Sequence, residues 1–345
     1  MQKTLGDAAR HIKSIIPPET TEMYEINPVL LNIANEESIR EGVCAFRLFL
    51  IRLYDVLAGD AHLYDAGKRS NEHLSAAYFG FPFIDNLQRL LLNIGIRGVL
   101  SEDGKSIIGG HDILNEKISA SKNMELLRFL VDCGIVIDGV DPNNKRQKLA
   151  EVGMVYFSYP DDLTMLTGLK VMAMAEQELR KSRFHYIFMR CDYRALMKEE
   201  ISVTTLLKEI IAPLSPEVQD FLLRMHHRHL DKGFDCTVEV WGFWVKIKHS
   251  SGRKELWGVN TSVNQGYKIS VKAHNTPKYA DAISKLPLAV QEMIASGYGC
   301  GKKRFGICNA GCEGLQISLD DTIMDISDGI EAWFDLELSC LRRKK

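Results

Sequence analysis

The sequence predicts an α+β protein in two parts. A mainly helical, mixed N-terminal region spans residues 1–232, and residues 233–345 form a module of antiparallel β-meander plus helices with a cysteine-rich knuckle. Three observations predict this. Apolar residues recur at helical spacing through most of the N-terminal region. Just beyond Gly233 the pattern changes to strict alternation, the signature of half-buried strands. Four of the eight cysteines, Cys300, Cys308, Cys312 and Cys340, then fall in the closing stretch. At 345 residues the chain also exceeds the size at which one hydrophobic core usually suffices.

Bulk composition excludes several classes. With 46% hydrophobic and 26% charged residues the chain is neither disordered nor fibrous. A formal charge of -2 and a pI near 6.6 do not suit a protein that coats nucleic acid or an anionic membrane. The opening residues lack a charged-then-apolar leader, and every apolar run is broken by charge before the ~20 residues a bilayer requires. The expected setting is cytoplasmic. Cys44, Cys133, Cys191 and Cys236 lie singly in apolar or strand-like surroundings, as reduced buried thiols do, so a disulfide framework is not expected.

Taken in order, Pro17-Pro18 ends a short amphipathic helix and Asn27-Pro28 opens the next segment. From Glu36 to Leu57 the residues Ile39, Val43, Phe46, Leu50, Leu53, Tyr54 and Leu57 make a core-facing helical stripe. His62, Tyr64 and His73 follow in a polar connection. Residues 83–99 and 123–137 then read as weak copies of a helix, a glycine stop (Gly95, Gly134) and a short strand, with a sub-boundary near 117–122. The first copy and the hairpin at Ser101–Lys105 outline a winged helix, but the helix lacks the basic face of a DNA reader. Gly153–Tyr159 reads as a buried strand, Asp161 or Asp162 caps a helix running to about Lys181, and Tyr186–Met189 reads as another strand. Helices over 202–214 and 216–230 complete the region.

The second of these ends in His226-His227-Arg228-His229. His226 and His229 share a helix side, a spacing that could hold a metal. The glutamate and second histidine of a zinc-protease helix are missing, so the favoured reading is cations complementing the last turn.

In the C-terminal module, strands begin at Cys236, and Tyr267, Ile269 and Val271 alternate with Lys268, Ser270 and Lys272. A helix over Lys278–Ile294 is expected to cover this sheet. Trp241, Trp244 and Trp257, with Tyr267, form an aromatic concentration that fits either a ligand cavity or a compact core, the core reading being favoured. Cys308 and Cys312 have the spacing of paired zinc thiolates, Cys300 precedes them, and Cys340 could complete a four-cysteine zinc site, with iron–sulfur ligation an alternative on the same residues. Lys302, Lys303 and Arg304 give this knuckle a positive patch, expected to face the acidic residues of the closing helix. The glycines before Lys302 lack the spacing of a phosphate loop. Asp320-Asp321 reads as a hairpin turn between Leu315–Ser318 and Thr322–Ile326.

No complete catalytic set appears. The expected function is ligand- or partner-binding and regulatory, with a structural zinc site near the C-terminus and Trp241, Trp244, Trp257, Tyr267, Lys302, Lys303 and Arg304 as contacts for a small molecule or a protein. One alternative is a thiol enzyme using Cys300 or Cys308 beside the basic loop, with His249 or His274 as base. Another is a DNA-binding regulator using the N-terminal repeats.

Overall fold

A computed structural model describes residues 4–17, 23–64, 81–114, 118–144, 148, 151–178, 188–198, 202–241, 244–252, 254–262, 266–296 and 315–340. It is an α+β mixture with two antiparallel sheets. The chain forms two compact units, Met1–Glu200 with Trp241–Phe243, and Ile201–Val240 with Trp244–Lys345.

The first unit contains helices α1 (Leu5–Ser14), α2 (Glu36–Gly59), α3 (Ala61–Tyr64), α4 (Pro82–Arg97), α5 (Ala120–Asp132) and α6 (Met165–Glu178). Thr4 and Asp7 close a capping box on α1, and the Asn35 side chain accepts the Ser38 amide at the start of α2, so orphan donors at both helix starts are satisfied locally. The stripe expected on α2 is buried throughout. Helix α6 lies against α2 at a glycine crossing, because a Cβ built on Gly168 would stand 1.8 Å from the Gly42 carbonyl oxygen. Gly95 serves α4 in the same way. A Cβ there would meet Ala173 of α6 at 2.3 Å, and α4 continues through it to Arg97. The glycine stop expected at Gly95 is therefore a close-packing position; Gly134, at φ +99°, is the left-handed stop that the second copy predicts.

Both helix-to-strand copies feed one small sheet. Strands β1 (Val99–Leu100), β2 (Ser106–Gly109), β3 (Val136–Asp138) and β4 (Val155–Ser158) are ordered β1-β2-β4-β3. The Ile107–Phe157 pair faces the core. The strand expected at Tyr186–Met189 is not formed where it is described, since Phe188–Arg190 is a 3-10 turn. Buried polar groups fix that turn: the Tyr54 hydroxyl donates to the Met189 carbonyl at 2.7 Å, and the Phe188 amide donates to Glu176 at 3.1 Å.

The second unit begins with α7 (Val203–Ile211) and α8 (Pro216–Asp231). The sequence reading places these helices in the first domain. In the structure Leu207, Ile211, Phe221, Leu222 and Met225 share one core with Trp257, Val259, Ile269 and Trp333, so the units divide at 200/201 rather than 232/233. Strands β5 (Asp235–Trp241), β6 (Trp244–Ser251), β7 (Lys254–Ser262), β8 (Gly266–Val271) and β9 (Leu315–Ser318) lie in sequence order; the single strand expected over Cys236–Ile247 is two strands, β5 and β6, and β9 adds a further strand to the expected meander. Ile247, Val259, Ile269 and Ile317 pair in one row across four of them, which fixes the register by burial.

The helix expected over Lys278–Ile294 is broken into a 3-10 turn, α9 (Ala280–Ile283) and α10 (Leu288–Ser296). Pro287, which has no amide to donate, stands at the break. Thr322–Ile326 is no hairpin strand. It forms a 3-10 helix whose first turn is capped by Asp320, and α11 (Ser327–Ser339) follows. The acidic face of α11 meets α8, with Arg224 and Arg228 on Glu331 at 3.2 and 3.3 Å and Lys232 on Asp335 at 3.3 Å; the basic residues 302–304 expected to face it lie outside the described residues. Glu337 is buried on α11 and accepts from the Asn275 amide, the Asn275 side chain and the Tyr279 hydroxyl, which ties α11 to the connection after β8.

Candidate metal centre

Three elements of the second unit bring a histidine, a cysteine and a second histidine together. On α8 the inward stripe runs Val218, Phe221, Leu222, Met225, His226 and His229, so helical periodicity points His226 into the core while His227 is exposed. Cys236 enters on β5 and is partly buried. Alternation along β6 puts Val245, Ile247 and His249 on the covered face, and His249 pairs across the ladder with Trp257. The two rings stack with centroids 3.9 Å apart and planes 6° from parallel, which fixes the imidazole plane.

The ligand atoms of His226, Cys236 and His249 all lie within 4.8 Å of one another, and the group could hold a metal ion. His226 Nδ1 is 2.8 Å from His249 Nε2, and Cys236 Sγ is 3.5 Å from His249 Nε2 and 3.9 Å from His226 Nδ1. Zinc bonds of about 2.1 Å to nitrogen and about 2.3 Å to sulfur place tetrahedral ligands roughly 3.3–3.6 Å apart. The sulfur separations are therefore close to those of a bound ion, and the two nitrogens must open by about 0.5 Å. Thr204 Oγ1 lies 2.8 Å from His226 Nε2. An Nε2–H donating to Thr204 leaves the Nδ1 lone pair facing Cys236 and His249, the outer-sphere contact that orients a metal-bound imidazole.

Electrostatics favour neutral imidazoles and, without a cation, a protonated thiol. Burial lowers His226 to about 4 and His249 to about 2, with the neighbouring histidines adding to both shifts. Burial pushes the Cys236 thiol up to about 12. A bound cation reverses the thiol balance, since thiolate is the ligating form. For metal-stripped protein the sign is definite. The unfolded chain takes up these protons near pH 6.5 and the folded chain does so well below it, so stability is present above 6.5 and is lost as pH falls. We expect the unfolding free energy measured by urea titration to drop between pH 6.5 and 4 by roughly 1 kcal/mol per pH unit for each imidazole, and the urea midpoint to fall with it. A flat midpoint over that window would contradict the buried placement.

The residues singled out in the sequence are distributed differently. Cys300, Cys308, Cys312, Lys302, Lys303 and Arg304 lie outside the described residues, as do the side chains of Trp241 and Trp244. Cys340 is a free, partly buried thiol at the end of α11, packed against the core. Trp257 is fully buried as the ring beneath His249, so it belongs to the wall of the His/Cys group and the core. Tyr267 is partly buried and pairs with Thr261. His274, a possible base in the sequence reading, has Nε2 at 2.8 Å from the Glu255 carbonyl. By sequence alone His226 reads as a cation for the last turn of α8 and Cys236 as a lone buried thiol. They stand 10 residues apart, and His249 follows 13 after Cys236, a spacing that only the α8–β5–β6 packing closes.

Among the described residues no helix is long and apolar enough to cross a membrane. The chain matches no protein-family model, no curated protein and no solved structure.

Proposed function

We propose that this chain is a cytoplasmic binding and regulatory protein whose C-terminal unit is organised around a zinc ion held by His226 Nδ1, Cys236 Sγ and His249 Nε2. The observation that carries the reading is the convergence of two buried imidazoles and a thiol from one helix and two strands, with Thr204 oriented on the outer nitrogen of His226. Two imidazoles and one thiolate make a borderline-soft donor set that suits zinc over magnesium or calcium, which prefer oxygen. A compartment that keeps thiols reduced suits a free cysteine ligand. Such a site contributes folding energy, and the unit it braces is the part we propose meets a small molecule or protein partner.

Elemental analysis of full-length protein purified without chelator, followed by zinc titration, tests this. Wild type should retain about one zinc per chain. Cys236→Ser should lower zinc affinity at least tenfold, because a hydroxyl is a far weaker ligand than a thiolate. Equal zinc content in wild type, Cys236→Ser and His249→Ala would remove these residues from the site. To isolate them from the cysteines at 300, 308 and 312, the comparison is repeated with those three changed to serine.

A further inference from the structure

His229 is a buried imidazole whose bonding is incomplete. It lies on α8 one turn after His226, on the same inward stripe, with only 1% of its surface exposed. Its Nδ1 is 2.6 Å from the Met225 carbonyl oxygen, which can only accept, so the ring proton sits on Nδ1. That assignment turns Nε2 into a lone pair, and this atom is buried with no hydrogen-bond partner. An orphaned acceptor in a core typically costs about 1–3 kcal/mol. Phe234, Trp257 and Phe334 surround the ring edge to face, and none offers it a hydrogen bond. Trp257, the ring stacked on His249, is thus shared by both histidines.

Resting on the zinc reading above, we propose that His229 Nε2 is the fourth ligand and closes the centre as a tetrahedral set of three histidines and one cysteine. Two imidazoles bound tetrahedrally through bonds of about 2.1 Å have ring centroids roughly 5 Å apart. The His226–His249 pair is already at 5.1 Å, and His229–His249 is at 6.2 Å; as it stands His229 lies outside the three-residue group, and its ring must move toward His249 by at least about 1 Å to join it. The i, i+3 spacing on α8 lets both histidines reach one point beside the helix. The Met225 carbonyl then plays for His229 the part that Thr204 plays for His226, holding the outer nitrogen. Full burial of all three imidazoles fits a structural centre, in which zinc takes four protein ligands and no water.

X-ray absorption on zinc-loaded, full-length wild type, with the cysteines at 300, 308 and 312 changed to serine, counts the ligands without relying on any variant of His229. Three imidazoles and one sulfur are expected. Two imidazoles, one sulfur and a light oxygen overturn the proposal while leaving zinc at His226, Cys236 and His249 intact, and failure to bind zinc at all overturns both. Cobalt titration gives a second readout on the same background. His229→Phe keeps an aromatic ring among aromatic neighbours; it should retain the sulfur-to-cobalt charge-transfer band but alter the ligand-field bands and weaken binding by at least tenfold. His227→Ala, on the exposed side of the same turn, should change neither. Cobalt spectra and affinity that are identical in wild type and folded His229→Phe would exclude His229 from the centre.

Discussion

Removing zinc from the full chain is expected to lower its thermal midpoint by roughly 8–16 °C, and His249→Ala should abolish that dependence on metal. A ligand bound only to the folded state and present at about a thousand times its dissociation constant contributes about 4 kcal/mol. For a domain of this size each kcal/mol moves the midpoint by roughly 2–4 °C. His249→Ala combines two losses. It deletes a ligand and opens a cavity against Trp257, and truncating a fully buried ring typically costs about 3–5 kcal/mol. The losses separate experimentally, since the cavity lowers the midpoint with or without metal, whereas the ligand effect appears as the difference between zinc and chelator. Differential scanning fluorimetry of both proteins in both conditions measures them. A wild-type midpoint unchanged by chelation would refute a structural zinc in this unit.

Gly168→Ala should destabilise the first unit by about 3 kcal/mol, against the sign that helix propensity predicts. In an exposed helix interior, glycine to alanine is favourable by about 1 kcal/mol. Here the added methyl would stand 1.8 Å from the Gly42 oxygen and 2.2 Å from its carbonyl carbon, and both are backbone atoms that no rotamer change can move. Helices α2 and α6 must separate, which disturbs the packing of Val43 and Phe46 on one side and Leu169 and Met172 on the other. Gly59, at the end of α2 with nothing within 4 Å of its Cβ position, is the control. Its alanine variant should be neutral or slightly stabilising. Urea midpoints compared at constant slope decide between the two effects, and a stabilised Gly168→Ala would mean that the helices do not cross at these glycines.

Much of the fold was legible because it follows from local periodicity. The stripe of α2, the proline-bounded helices α7 and α8, and the alternation of Tyr267, Ile269 and Val271 all describe which side of an element is apolar, and burial follows that side. Legibility failed where a residue type has two uses. Gly95 reads as a helix stop because glycine tolerates a left-handed turn, yet it also allows a helix to approach within a methyl radius, and nothing local separates the two. Phe188 and Met189 have strand-like composition, but the Tyr54 hydroxyl and the Glu176 carboxylate satisfy their backbone in a tight turn.

The candidate centre divides in the same way. The sequence by itself determined that the protein is α+β and that His226 and His229 share one side of a helix. Tertiary structure alone decided that this side faces a core, and that it meets His249 and Cys236 there. The physical reason is that period and propensity specify a direction from an element's own axis, whereas a metal centre requires several directions to converge on one point. Convergence here is set by the packing of α8 on the β5–β6–β7 sheet, where Trp257 stacks under His249 and draws the histidines of α8 into edge-to-face contact.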